Sequence, residues 1–160
     1  MKAILSPCGA YRYRLDRDVQ GEGRVFAYFG INPSTADHEL DDATVRKWRG
    51  FTIRNGGRKF IVGNVFSYRA TDVRELGRDV PDCDDIHWSH IMQIIAEADI
   101  LVACWGSNSK LPLSKRERPA ELLQVLMRSG KPLFHFGKTR SGDPKHPLML
   151  GYDTPLIEWQ

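Results

Sequence analysis

Cysteine is scarce in this chain of 160 residues: three, Cys8, Cys83 and Cys104, stand far apart with no C-x-x-C pair. That spacing argues against a disulfide framework and a cysteine zinc site, so reduced thiols are expected. Long apolar runs are lacking too. No stretch approaches the roughly 20 residues that cross a bilayer as a helix, and Met1-Lys2-Ala3-Ile4-Leu5-Ser6-Pro7 is too short in apolar residues to be read as a secretory signal. A cytoplasmic protein without membrane contact is expected. Charge of one sign is modest: a net +3 and a pI near 8.8 tolerate a polyanionic partner without the dense Lys/Arg clustering of a dedicated DNA-binding domain. No internal repeat, low-complexity tract or linker interrupts the chain, whose length suits one domain spanning residues 1–160.

What is present is an alternation of strand and helix patterns. Tyr11 to Asp16 (YRYRLD) alternates apolar with charged residues, the period of a half-exposed strand, and Gly21-Glu22-Gly23 supplies a turn into Arg24 to Gly30 (RVFAYFG). The two are expected to form an opening antiparallel hairpin. Asp41 or Asp42 caps a helix over 43–55, with Val45, Trp48 and Phe51 or Thr52 on one face, ended by Gly56-Gly57. Lys59 to Phe66 (KFIVGNVF) reads as a strand buried on both faces. A helix from Asp84 or Asp85 to about Ala96, with Ile86, Met92, Ile94 and Ile95 offered to the core, precedes a strand over Asp99 to Cys104. A further helix spans 116–129, with Leu122, Leu123, Val125 and Leu126 at helical spacing and Gly130 as its C-terminal cap; Pro132 to Phe136 is the last strand, before a long surface loop. This order predicts a three-layer α/β sandwich, with a mostly parallel central sheet and an N-terminal antiparallel hairpin.

Such a sheet gathers its strand-end loops on one rim, where ligands bind in α/β folds. The loops at 32–37, 67–72, 105–110 and 137–146 each carry residues able to meet a phosphate, sugar or base. Each also has a plain reading. Asn32 before Pro33 shapes a turn, Asn64 pairs with backbone, Trp105 fills core, Asp42 caps a helix, Arg69 pairs with Asp72, and His135 is a hydrogen-bonded core histidine.

The blocks FGINPSTAD, Asp41-Asp42-Ala43-Thr44, NVFSYRATD, ACWG and KHPLML, over about Tyr11 to Leu150, resemble a bacterial and phage family known as domain of unknown function 1643. A more distant resemblance is to the uracil-DNA glycosylase superfamily, through Gly30-Ile31-Asn32-Pro33, Asn64, Trp105-Gly106 and His146-Pro147 in the same order. The chain departs from that superfamily at Ser34 and in lacking a serine after the His-Pro pair.

The second resemblance implies a glycosylase-like sandwich and a nucleobase-recognising hydrolase that cleaves the N-glycosidic bond of a damaged or modified base, with DNA or a nucleotide as partner and no cofactor. It implies Asn32 orienting water and His146 stabilising the leaving base as catalytic residues. Asn64, Tyr68 and Trp105 would contact the base, while Ser34, Thr35, Arg69 and Lys145 would hold phosphate. Two alternatives stay open: a non-catalytic module binding modified bases or nucleotides, and a phosphoryl-transfer enzyme holding magnesium through Asp37 and Asp42.

Overall fold

The computed structural model describes residues 2–37, 39–77 and 84–160; Cys83 lies outside them. Seven strands form one sheet: β1 (Lys2–Leu5), β2 (Arg12–Asp18), β3 (Arg24–Gly30), β4 (Gly57–Asn64), β5 (Ile100–Ala103), β6 (Leu133–His135) and β7 (Ile157–Glu158), in spatial order β1-β2-β4-β3-β5-β6-β7. The central four, β4, β3, β5 and β6, are parallel, and the outer strands join antiparallel. The helices are α1 (Ala43–Arg54), α2 (Asp85–Glu97) and α3 (Arg118–Arg128).

Period-two alternation in β3 assigns the layers. Val25, Ala27 and Phe29 pack with Ile91, Ile94 and Ile95 of α2 and Leu122 and Leu126 of α3. Phe26 and Tyr28 face the other way, into Val45, Trp48 and Phe51 of α1, with Leu150, Tyr152 and Leu156 of the C-terminal segment alongside. The helices follow the sequence pattern closely. Asp42 accepts from Val45 N at 2.9 Å and Asp84 from His87 N at 2.9 Å as N-caps, and Gly130 takes a φ of 79° after α3.

The expected hairpin is corrected. β2 and β3 do not pair; β4 lies between them, antiparallel to β2 and parallel to β3, and the N-terminal hairpin is β1 with β2. β2 is also far from half-exposed: Arg12, Arg14, Asp16 and Arg17 are all buried. It is an inner strand, and the charges of Arg14, Asp16 and Arg17 are compensated in place. Arg14 pairs with Asp16 at 2.7 Å and with Glu97 at 2.6 Å, while Arg17 pairs with Asp41 at 2.7 Å. On α2 the buried face is His87, Ile91, Ile94 and Ile95, and Ile86 and Met92 face outward, one step around the helix from that stripe. The short β1 and β7 carry too few residues to announce themselves as strands.

Because β3, β4 and β5 run parallel in register, with Gly30 beside Asn64 and Phe29 beside Ala103, their carboxyl ends open on one edge. Backbone hydrogen bonds stitch the loops beyond that edge: Val65 N to Gly30 O at 2.9 Å, Phe66 N to Ile31 O at 2.9 Å, Ala70 N to Pro33 O at 2.9 Å and Gly106 N to Pro144 O at 2.9 Å. No helix among the described residues is long and apolar enough to cross a membrane.

Candidate functional site

At that edge lies a cleft of about 510 Å³, a volume in the range of small-ligand sites. Ile31, Val73, Trp105, Leu111 and Leu148 supply its apolar surface; Asn32, Ser34, Asp42, Thr44, Lys110 and His146 supply polar groups. It deepens into a chamber of about 50 Å³ that shares Asn32, Ser34, Asp42, Thr44 and His146 and adds Arg12, Trp48 and Asn64. A shallower groove of about 390 Å³, lined by Thr35, Arg69 and Glu75 among others, adjoins the cleft through Ser34, Ala70 and Thr71.

Asn32 is held by its amide nitrogen. Nδ2 donates to Ala70 O at 2.8 Å and Pro33 O at 3.0 Å, with Tyr68 O at 3.4 Å. Only the NH2 end of the amide can satisfy carbonyls, which leaves Oδ1 as an acceptor on a residue that lines the cleft. One side chain thus ties the loop after β3 to the loop after β4. The turn-shaping reading of Asn32 is met by its backbone bonds, and the residue also lines the cleft.

His146 is fixed in a similar way. Its Nδ1 accepts from Leu148 N at 3.2 Å, so the neutral ring carries its proton on Nε2. Burial pushes its pKa below the ordinary histidine value, with the Asp42 carboxylate opposing the shift, which favours that neutral ring. Asp42 caps α1 through one carboxylate oxygen and lines both the cleft and the chamber. Trp105, 4% exposed, is both a core residue and a wall of the cleft.

Asn64 is 3% exposed at the end of β4, and its Nδ2 has no hydrogen-bond partner among the described residues. The pairing with backbone that a strand-end asparagine suggests is absent from that nitrogen. Close approach of Gly30 makes room for it: a Cβ there would sit 2.9 Å from Asn64 Oδ1 and 3.3 Å from the Trp48 ring.

Not every expected residue reaches the cleft. Ser34 does, and Thr35 and Arg69 stand together in the adjoining groove, but Arg69 donates to Ser34 O at 2.9 Å, Gly9 O at 3.2 Å and Thr35 O at 3.3 Å. It holds the loop as well as carrying charge, and Asp72 pairs with Arg74 at 2.7 Å rather than with Arg69. Tyr68 does not line the cleft; its ring packs edge-on against Tyr11 at 5.7 Å. Lys145 is exposed and lies outside the lining, where Lys110 stands instead. Asp37 turns back on its own loop, accepting from Glu39 N at 2.9 Å and Leu40 N at 2.8 Å, and does not line the cleft beside Asp42. Among the described residues no group of three or more His, Cys, Asp or Glu side chains is placed to hold a metal ion. His135 accepts from Gly137 N at 2.9 Å, as a hydrogen-bonded core histidine does.

Sequence reasoning passed over Arg12. It reads as the exposed half of an alternating strand, yet it is 2% exposed and its Nε has no partner among the described residues. Burial lowers its pKa to about 10, with the charge of Asp42 opposing, and one terminal nitrogen donates to Ala36 O at 2.9 Å.

The family model described as "Protein of unknown function (DUF1643)" matches residues 12–148, so the chain belongs to that family. Neither the curated proteins nor the solved structures give a significant match.

Proposed function

We propose that this DUF1643 protein is a nucleobase-recognising hydrolase, a glycosylase-like enzyme that cleaves the N-glycosidic bond of a damaged or modified base in DNA. The observation that carries the reading is the meeting, in the lining of one strand-end cleft and its inner chamber, of Asn32 held through its amide nitrogen, Asp42, His146 with its pKa lowered by burial, Trp105, and Asn64, whose Nδ2 has no partner among the described residues. Water held by Asn32 Oδ1 attacks C1′ of the sugar. The C1′–N bond breaks with its electron pair leaving on the base, His146 Nε2–H donates a hydrogen bond to the departing base, and the proton of the water passes to that base. Trp105 stacks on the extruded base, Asn64 meets its edge, and the groove of Thr35 and Arg69 follows the sugar-phosphate chain.

A second reading has its own support. Asn32, Asp42 and His146 are each tied to backbone through one atom, a rigidity that serves a binding module for modified bases equally well. Mass spectrometry separates the two. Purified protein incubated with single- and double-stranded DNA carrying uracil, hypoxanthine or phage-type modified bases is expected to release one free base and leave an abasic strand, with or without a chelator. Retained binding without released base would reject hydrolysis in favour of the binding module, and chelator-sensitive strand cleavage would point to phosphoryl transfer.

A further inference from the structure

β2 carries three buried arginines, and they are not treated alike. Arg14 is answered by Asp16 and Glu97, and Arg17 by Asp41. Among the described residues Arg12 makes no ion pair: a terminal nitrogen donates to the backbone carbonyl of Ala36, and its Nε has no partner. A guanidinium held only for stability would be paired as its neighbours are, because a buried donor without an acceptor costs stability. Arg12 instead lines the inner chamber together with Asn64, whose buried Nδ2 also has no partner among the described residues. Two residues on different strands, each with a buried donor that has no partner among the described residues, therefore line the same small space. At about 50 Å³ the chamber has room for about three or four water-sized groups, enough for the edge of a planar ring. Asp42, whose Oδ1 is occupied by Val45 N, adds a carboxylate to the same lining.

This lining is complementary to an oxygen acceptor next to an N–H donor. We infer that Arg12 is a specificity-determining residue: Arg12 Nε and Asn64 Nδ2 donate to a carbonyl oxygen of the bound base, and Asp42 accepts from the ring N–H beside it. The inference rests on the nucleobase reading of the cleft and narrows it to bases with an oxo-imino edge. An amino-substituted base turns an NH2 toward the two donors and a bare ring nitrogen toward the carboxylate, so both contacts fail together.

Calorimetric titration of the full-length protein with free uracil against cytosine, and hypoxanthine against adenine, tests this directly. The oxo member of each pair is expected to bind at least tenfold more tightly. Asn64→Asp keeps the side-chain shape but replaces the donor with an acceptor that pairs with Arg12, and is expected to abolish the preference. Arg12→Lys, which keeps the charge and loses the Nε donor, is expected to reduce it, with thermal melting confirming that both variants fold. Binding of none of the four bases, which would mean that resident water alone meets the donors, overturns the inference. So does equal binding within each pair, or a preference unchanged in both variants. Base release without an oxo preference would retain the hydrolase and remove this inference, whereas an oxo preference without base release would retain it in a binding module.

Discussion

Lowering the pH from 7 to 4.5 is expected to remove about 2–3 kcal/mol of folding stability, most of it through His87, whose ring is held neutral in the core. His87 is 3% exposed; burial lowers its pKa from 6.5 to about 4, with Asp84 opposing the shift and His90 adding to it. Its Nδ1 shares a hydrogen bond with Ser67 Oγ, and its Nε2 has no partner among the described residues. The folded-state pKa lies below the unfolded one, so the contribution is complete above the unfolded value and is lost as pH falls through the window from about 6.5 to about 4. His90, His135 and His146 are shifted in the same direction, chiefly by burial, and add to the loss. The carboxylates act later. Burial alone would raise the pKa of Asp16 and Asp41, but their arginine partners, with Lys59 at Asp16, outweigh it and hold both below the usual 3.8, so their stabilisation persists until the medium is more acid still. Denaturant midpoints at the two pH values, for wild type and His87→Gln, read the effect. A variant as pH-sensitive as the wild type would show that the acid lability originates elsewhere.

Replacing Asn32 by alanine is expected to have two separable effects. The carbonyls of Pro33, Tyr68 and Ala70 lose the amide that gathers them, at a cost of about 1–3 kcal/mol in stability. The oxygen proposed to orient water is also lost, which should lower single-turnover base release by about 100-fold or more. Loosened loops alone would weaken substrate binding and release in proportion. The proposed role predicts instead that the rate falls far more than the affinity, with Kd rising less than about tenfold, when both are measured below the melting transition of the variant. Parallel losses in rate and affinity would assign Asn32 to scaffolding only.

Much of this architecture is legible in the sequence because local and tertiary preferences agree. The apolar stripe of Val45, Trp48 and Phe51 behind the Asp42 cap, and the doubly buried run of β4, leave few alternatives, and the rim position of Asn32 and His146 follows from the parallel order of the central strands. Strand pairing is less legible. Gly21-Glu22-Gly23 signals a hairpin, but the partner of β2 is selected by long-range burial, and placing β4 between β2 and β3 answers a core requirement that a turn motif does not encode. The site was incomplete for the same reason. Arg12 in an alternating Tyr-Arg pattern looks solvated until Leu5 of β1, the backbone at Ser67 and the loop at Ala36 come against it, whereas Tyr68 sits in a suggestive loop but packs on Tyr11, and Lys145 stays exposed outside the cleft lining.

The central claim is that the strand-end cleft receives a nucleobase. Its most direct test is the amide nitrogen–proton spectrum of labelled protein titrated with uracil and hypoxanthine. The account predicts perturbations concentrated at Ile31 to Ser34, Asp42 to Thr44, Asn64, Trp105 to Ser107 and His146, the residues around the cleft and its inner chamber. Perturbations absent there, or centred instead on the separate pocket of Met127, Lys131 and Trp159, would contradict it.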